Sequence, residues 1–162
     1  MKHLLLIGFM ASGKSTTANL LSLSLKLPIF STDSWITLQS QKSISEIFSL
    51  YGESEFRLWE KRAFEEILGL RQTHIIDCGG GFILNNDVQK LGRVYYLKVG
   101  LEEIEKRLSQ KEQRLARPLS HDIKNLYFQR EGLYNQKASK VIEGKNQEER
   151  LEEIMQDWKK NS

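Results

Sequence analysis

The chain lacks most of the residues that mark a secreted or metal-stapled protein. Cys78 is the only cysteine among 162 residues, so no disulfide framework can form within the chain, and a reducing compartment is expected. The three histidines, His3, His74 and His121, are too dispersed for a structural zinc site. Only two prolines occur, and no stretch rich in Pro, Gly or Ser interrupts the chain, so a single domain over 1–162 is expected. Long apolar runs are absent too. The opening "MKHLLLIGFMASGK" is too short in its apolar part to span a bilayer, and it leads straight into a motif that function requires. Nor does charge of one sign accumulate: 24 basic and 21 acidic residues leave a net charge of +3. The C-terminal "EERLEEIMQDWKK" mixes both signs, which reads as a solvated helix face rather than a nucleic-acid footprint. These absences lead us to expect a cytoplasmic monomer that binds neither nucleic acid nor membrane.

What is present is alternation. The runs "HLLLIG" (3–8), "PIF" (28–30), "HIID" (74–77), "VYYLKV" (94–99) and "SKVIE" (139–143) read as strands. Helical patterning fills 14–25, 34–50, 53–70, 101–109, 121–136 and 146–159. In "FRLWEKRAFEEIL", for example, Phe56, Trp59, Ala63, Phe64, Ile67 and Leu68 are expected to share one helix face. Strand and helix in turn predict an α/β fold, a parallel sheet covered on both faces. Ligands then collect at the carboxyl ends of the strands. One polar, arginine-rich stretch, "LSQKEQRLARPLSHD", breaks the pattern and is expected to form a mobile lid at about 110–120.

Residues 8–15, "GFMASGKS", match G-x-x-x-x-G-K-[ST] after an apolar strand and before a helix. Glycines let the chain curl so that the amides of Ala11, Ser12, Gly13, Lys14, Ser15 and Thr16 can face phosphate oxygens, reinforced by the helix N-terminus. Lys14 can reach the outer phosphates, and Ser15 can offer its hydroxyl to Mg²⁺. ATP and Mg²⁺ are therefore the expected cofactors. Ala11 stands where glycine is frequent; alanine is accommodated at negative φ, so tighter packing rather than lost binding is expected there.

The remaining marks are "STDSWI", "SISEIF" followed by "GESEFRLWE", then "CGGGF", "ARPL" and an arginine in the helix beyond. In this order and at these spacings, over nearly the whole length, the chain resembles the shikimate kinase family. The resemblance implies a three-layer P-loop kinase fold with strand order 2-3-1-4-5. It also implies transfer of the ATP γ-phosphoryl group to the 3-hydroxyl of shikimate, in aromatic amino-acid biosynthesis. Substrate residues then fall in a helical region of about 33–62 and beyond it. Arg57 and Arg130 match the arginines that fork the substrate carboxylate, and Asp33 the aspartate that orients and deprotonates the attacking hydroxyl. Gly79, Gly80 and Gly81 match a loop whose amides approach the substrate, where a Cβ would hold the ring away. Arg117 matches the lid arginine over the phosphates, and Arg107 with Lys145 match positions flanking adenine. Glu60 is expected to hold an arginine, and Cys78 to fill space at a strand end. Each residue has a plainer reading: Asp33 could cap the helix that follows, and the arginines could be solvated surface charges. A gluconate-type kinase and a nucleotide-binding regulator without catalysis are the rival readings.

The resemblance fails at one position. Its members usually carry Asp-x-Asp after the second strand, with the first aspartate helping to hold Mg²⁺; here that position is Ser31. Asp77 in turn stands where a small uncharged residue is usual. Two roles stay open for it: an outer-sphere Mg²⁺ carboxylate replacing the one lost at Ser31, or an acceptor for glycine-loop amides that shapes the turn.

Overall fold

The computed structural model describes residues 2–112 and 122–162. Five short strands form one sheet: β1 (His3–Ile7), β2 (Ile29–Ser31), β3 (Ile75–Asp77), β4 (Gly92–Leu97) and β5 (Lys140–Ile142). Their order is β2-β3-β1-β4-β5, and every pairing is parallel. The expected order is therefore the observed one. Parallel strands need crossovers, and helices supply them: α1 (Lys14–Leu25), α2 (Thr32–Ser40), α3 (Ile44–Tyr51), α4 (Glu53–Leu68), α5 (Leu101–Glu112), α6 (Ile123–Lys137) and α7 (Gln147–Asn161).

Alternation along the strands sorts the core into two. Leu4 and Leu6 of β1 face a cluster with Ala18 and Leu21 of α1 and Ile154 and Trp158 of α7. Leu5 and Ile7 face the opposite cluster, built with Ile36, Ile47, Phe56, Ile67, Ile104 and Tyr134 from α2 to α6. This side-to-side partition is what period-2 side chains impose on a sheet buried on both faces. Trp158 belongs to the first core, and Trp35 and Trp59 pack half-buried against the second, so none of the three is a ligand box. Helix α7 is also tied to the sheet by charge: Arg93 of β4 donates to both carboxylate oxygens of Asp157, at 2.5 and 3.0 Å, and the Tyr95 hydroxyl donates to the same group at 2.8 Å.

One expected helix is two. Residues 34–50 break after Ser40, where Gln41 takes a left-handed conformation with φ 57°. Ser43 then opens α3 with a reciprocal capping box, its hydroxyl accepting from the Glu46 amide while the Glu46 carboxylate accepts from the Ser43 amide. The break swings α3 beside α4, which places Phe48 and Phe56 with ring centroids 4.9 Å apart. Helix α2 starts at Thr32, earlier than expected, because Ser31 is its cap: the Ser31 hydroxyl accepts from the Ser34 amide at 3.3 Å. Asp33 is thereby released from the capping role and lies in the first turn.

Candidate active site

The strands β1, β2 and β3 end level with one another, Leu6 and Ser31 both pairing with Asp77. The chain emerging from β1 is the phosphate loop. Lys14 is buried at the start of α1, and its ammonium donates to the carbonyls of Gly8 and Phe9 at 2.8 and 2.9 Å. Ala11 corrects the sequence reading: its φ is 61°, in the left-handed region, not negative. A concave run of inward amides needs residues of alternating hand, and position 11 is one of the left-handed ones. The Ala11 carbonyl is pinned there by Arg107, whose Nη1 donates to it at 2.9 Å.

On the sheet side of this loop lies a cavity of about 290 Å³, lined by the loop itself with Ser31, Asp33, Asp77 and Gly80. A second cavity, also about 290 Å³, opens between α2, α3, α4 and α6. Its polar wall carries Asp33, Arg57, Glu60 and Arg130, and its apolar wall Ile44, Phe48 and Phe56. Both cavities share Asp33, Met10, Gly79 and Gly80. The cavity beside the phosphate loop and the cavity carrying the two arginines thus meet at one aspartate.

The charges in the second cavity are only partly paired with one another. Arg57 donates to Glu60 at 2.6 Å and to Glu53 at 3.0 Å. Burial works against the Arg57 charge, but Glu60 and Glu53 more than offset it and raise its pKa. Arg130 is only 4% exposed, and its Nε has no hydrogen-bond partner among the described residues. Glu60 likewise keeps Oε2 buried without a partner. Burial pushes the Glu60 carboxyl up to about 7, with Asp33 adding to the rise and Arg57 and Arg130 opposing it. A buried guanidinium edge left open is costly unless a ligand fills it. A carboxylate between Arg57 and Arg130 would do so.

The glycine loop also clears space within the protein itself. A Cβ on Gly79 would lie 2.5 Å from the Asp33 carboxylate, and one on Gly80 would lie 3.3 Å from Arg130. A Cβ on Gly81 would collide with the Arg57 guanidinium. Each glycine therefore leaves room for one charged side chain of the site. Two residues that sequence reasoning missed hold this loop. The Thr32 hydroxyl accepts from the Gly79 amide at 2.8 Å, and the Tyr134 hydroxyl donates to the Gly80 carbonyl at 2.6 Å. Tyr134 was findable, since it stands one helical turn beyond Arg130 on α6 and so shares its face.

A larger cavity of about 920 Å³ lies on the other side of the phosphate loop, lined by Ala11, Gly13, Thr16, Arg107, Lys145 and Arg150. It brings the two residues expected beside adenine together with the loop. Arg150 was also missed; its Nε donates to the Gly144 carbonyl at 2.8 Å, while burial and then the nearby Arg107 lower its pKa. Cys78 is fully buried, and burial followed by Asp77 pushes its thiol well above the usual range, as suits a space-filling residue. His3 and His74 meet each other at the opposite end of the sheet, the His74 amide donating to His3 Nδ1 at 3.1 Å. No cluster of three or more His, Cys, Asp or Glu side chains placed to hold a metal exists among the described residues. Arg117, and the lid expected around it from 113 onward, lie outside the described residues.

Comparison with known proteins agrees with this geometry. The sequence model of the family "Shikimate kinase" matches residues 10–160. A shikimate kinase from Clostridium botulinum (strain Loch Maree / Type A3) is 38% identical over 99% of this chain and 98% of its own length. One from Helicobacter hepaticus (strain ATCC 51449 / 3B1) is 37% identical over 89% and 87%. Among solved structures, shikimate kinase from Acinetobacter baumannii in complex with shikimate superposes with a TM-score of 0.88, at 24% identity, over 100% of this chain and 95% of that one. With the family model matching residues 10–160 and near-complete coverage in both directions, the chain belongs to the shikimate kinase family.

Proposed function

We propose that the two cavities divide the labour of an ATP-dependent phosphoryl transfer to the 3-hydroxyl of shikimate, yielding shikimate 3-phosphate and ADP. The observation that carries this reading is Asp33, which lines the phosphate cavity and the carboxylate-binding cavity at once. Arg57 and Arg130 hold the shikimate carboxylate, a pair that a planar carboxylate satisfies with parallel hydrogen bonds. The amides of Gly79, Gly80 and Gly81 border the ring. Held in this way, the 3-hydroxyl points at Asp33, which accepts its proton as the oxygen attacks the γ-phosphorus. The bond from that phosphorus to the β,γ-bridging oxygen breaks, and ADP leaves with the electron pair. Lys14 and the loop amides of Ala11, Ser12, Gly13, Ser15 and Thr16 take the phosphate charge. Arg107 and Lys145 border adenine, and Arg117 is assigned to the phosphates from its sequence motif alone.

The residues present fit a magnesium ion. Ser15 presents a hydroxyl in the phosphate cavity, with the Asp77 carboxylate 2.7 Å from it, oxygen groups of the kind this ion takes. A bound Mg²⁺ would supply positive charge that offsets the negative charge building up on the phosphates during transfer.

We assign the protein to the cytoplasm on its single cysteine, and take it as a single-domain monomer because one chain supplies every residue the chemistry uses. Among the described residues, no helix is long and apolar enough to cross a membrane. The assigned role for Asp33 is tested by Asp33→Asn, which keeps the shape of the side chain but not its basicity. Turnover should fall by two or more orders of magnitude with ATP affinity held, on the scale of general-base catalysis. Near-normal kcat in this variant would remove Asp33 from the reaction.

A further inference from the structure

The phosphate cavity contains two carboxylates, Asp33 and Asp77, and only Asp33 also faces the substrate cavity. Asp77 ends β3 with 8% of its surface exposed, and its Oδ2 accepts the Ser15 hydroxyl at 2.7 Å. That bond commits the one proton Ser15 has. What the hydroxyl then presents to the cavity is lone pairs, the form in which it can meet a cation.

The turn that follows Asp77 is held by other groups. The Cys78 amide donates to the Leu6 carbonyl at 3.2 Å, and the Gly79 amide to the Thr32 hydroxyl at 2.8 Å. The first two amides after Asp77 are thus taken up by groups other than its carboxylate. Across the sheet, Asp77 pairs in register with Ser31, whose neutral hydroxyl is taken up in capping α2. At this level of the sheet the negative charge thus sits on β3, the strand adjoining β1 and its phosphate loop, and not on β2.

We propose that Asp77 is the positioning carboxylate for the divalent cation of the nucleotide, acting by its charge and by orienting the Ser15 hydroxyl. Asp77 touches neither the transferred group nor shikimate; it sets where the ion sits and how tightly it is held. The inference rests on the chain being an ATP-dependent kinase. It predicts an effect of opposite sign on metal-free nucleotide, because a fixed carboxylate beside the phosphates repels ATP until the cation arrives.

The test is nucleotide binding rather than turnover, so its failure is distinguishable from failure of the shikimate kinase reading. Binding of a fluorescent ATP analogue is measured in EDTA and across a Mg²⁺ titration for wild type, Asp77→Asn, Ser31→Asp and the double variant. Asp77→Asn keeps the size of the side chain and an acceptor for Ser15. It should need about tenfold more Mg²⁺ for half-maximal tightening, in line with the loss of a residue that orients a metal ligand, while binding metal-free analogue as well as or better than wild type. The double variant should recover part of the Mg²⁺ response, since the charge returns one strand away on the paired residue. Ser31→Asp alone, with capping ability retained, should lower the Mg²⁺ requirement; this readout stands even if Asp77→Asn proves unstable by thermal unfolding. Superimposable Mg²⁺ titrations for wild type and Asp77→Asn would overturn the proposal. So would an equal loss of affinity with and without Mg²⁺, which is the signature of a purely structural aspartate.

Discussion

Glu60 sits between two arginines and an aspartate with one buried oxygen unpartnered, and its folded-state pKa of about 7 stands above the ordinary 4.5. The folded protein therefore holds a proton there that the unfolded chain releases near pH 4.5. The stability contributed by this group is full below the unfolded value and is lost as pH rises through about 7. Glu60→Gln cannot titrate, so denaturant unfolding of both proteins should show wild type losing ground to the variant over that window. The loss should be on the order of 3 kcal/mol. A constant difference between the two curves would show that Glu60 is not proton-linked to folding. Arg57 is tested by truncation: Arg57→Ala should raise the KM for shikimate by a factor corresponding to about 2 to 5 kcal/mol, with the KM for ATP nearly unchanged. The glycines separate the two cavities more finely. Gly81 has φ −98°, which alanine adopts freely, so Gly81→Ala acts only through collision with Arg57 and should raise the KM for shikimate. Gly79→Ala instead presses on Asp33 and should lower kcat more than it raises KM. Steady-state kinetics of the two variants side by side should show this split; matched changes in both would mean that the glycine loop moves as one body.

At the scale of the element, α6 joins substrate binding to loop geometry, since Arg130 enters the cavity and Tyr134, one turn on, holds Gly80 by its carbonyl. Tyr134→Phe leaves that carbonyl without its donor, and should cost about 1 to 3 kcal/mol in thermal unfolding together with a raised KM for shikimate. Unchanged stability and kinetics would show that the loop holds its shape without α6. The elements themselves were mostly legible in the sequence, because strand-period and helix-period patterns are set by the same burial that the structure shows. The exceptions are local. Residues 34–50 have continuous helical patterning, and the break lies in a left-handed Gln41 that no glycine advertises; the capping box "SISE" was the available signal. Ala11 misled in the same way, since a left-handed alanine is readable only once the curl of the loop is seen. Asp33, Arg57 and Arg130 were legible as charges in motifs. Thr32 was not singled out because its partner, the Gly79 amide, is far away in sequence; Tyr134 was signalled only by its one-turn spacing from Arg130, and Arg150 by nothing beyond a charge in a solvated helix.

Across the whole molecule, function follows from where the sheet delivers its strand ends. The order β2-β3-β1-β4-β5 sets β1 at the centre, so the phosphate loop borders both the cavity of about 920 Å³ lined by Arg107 and Lys145 and the cavities that carry Asp33. The ends of β2 and β3 then bring Asp33 and the glycine loop against that centre. Ligand sites at the carboxyl edge of a parallel sheet are expected; what is particular here is that two of them share a carboxylate. A gluconate-type substrate also has a carboxylate and hydroxyls for the same cavity of about 290 Å³ to meet, so the identity of the acceptor is the discriminating observable. The most direct test is product identity. The purified protein is incubated with ATP and Mg²⁺ and with shikimate, gluconate or no acceptor, and phosphorus NMR with mass spectrometry is used to locate the transferred group. The account expects stoichiometric ADP and a single phosphorylated product carrying phosphate on the 3-hydroxyl of shikimate, with no product from gluconate. Phosphate on another hydroxyl, transfer to gluconate at a comparable rate, or ADP formed without acceptor would contradict it.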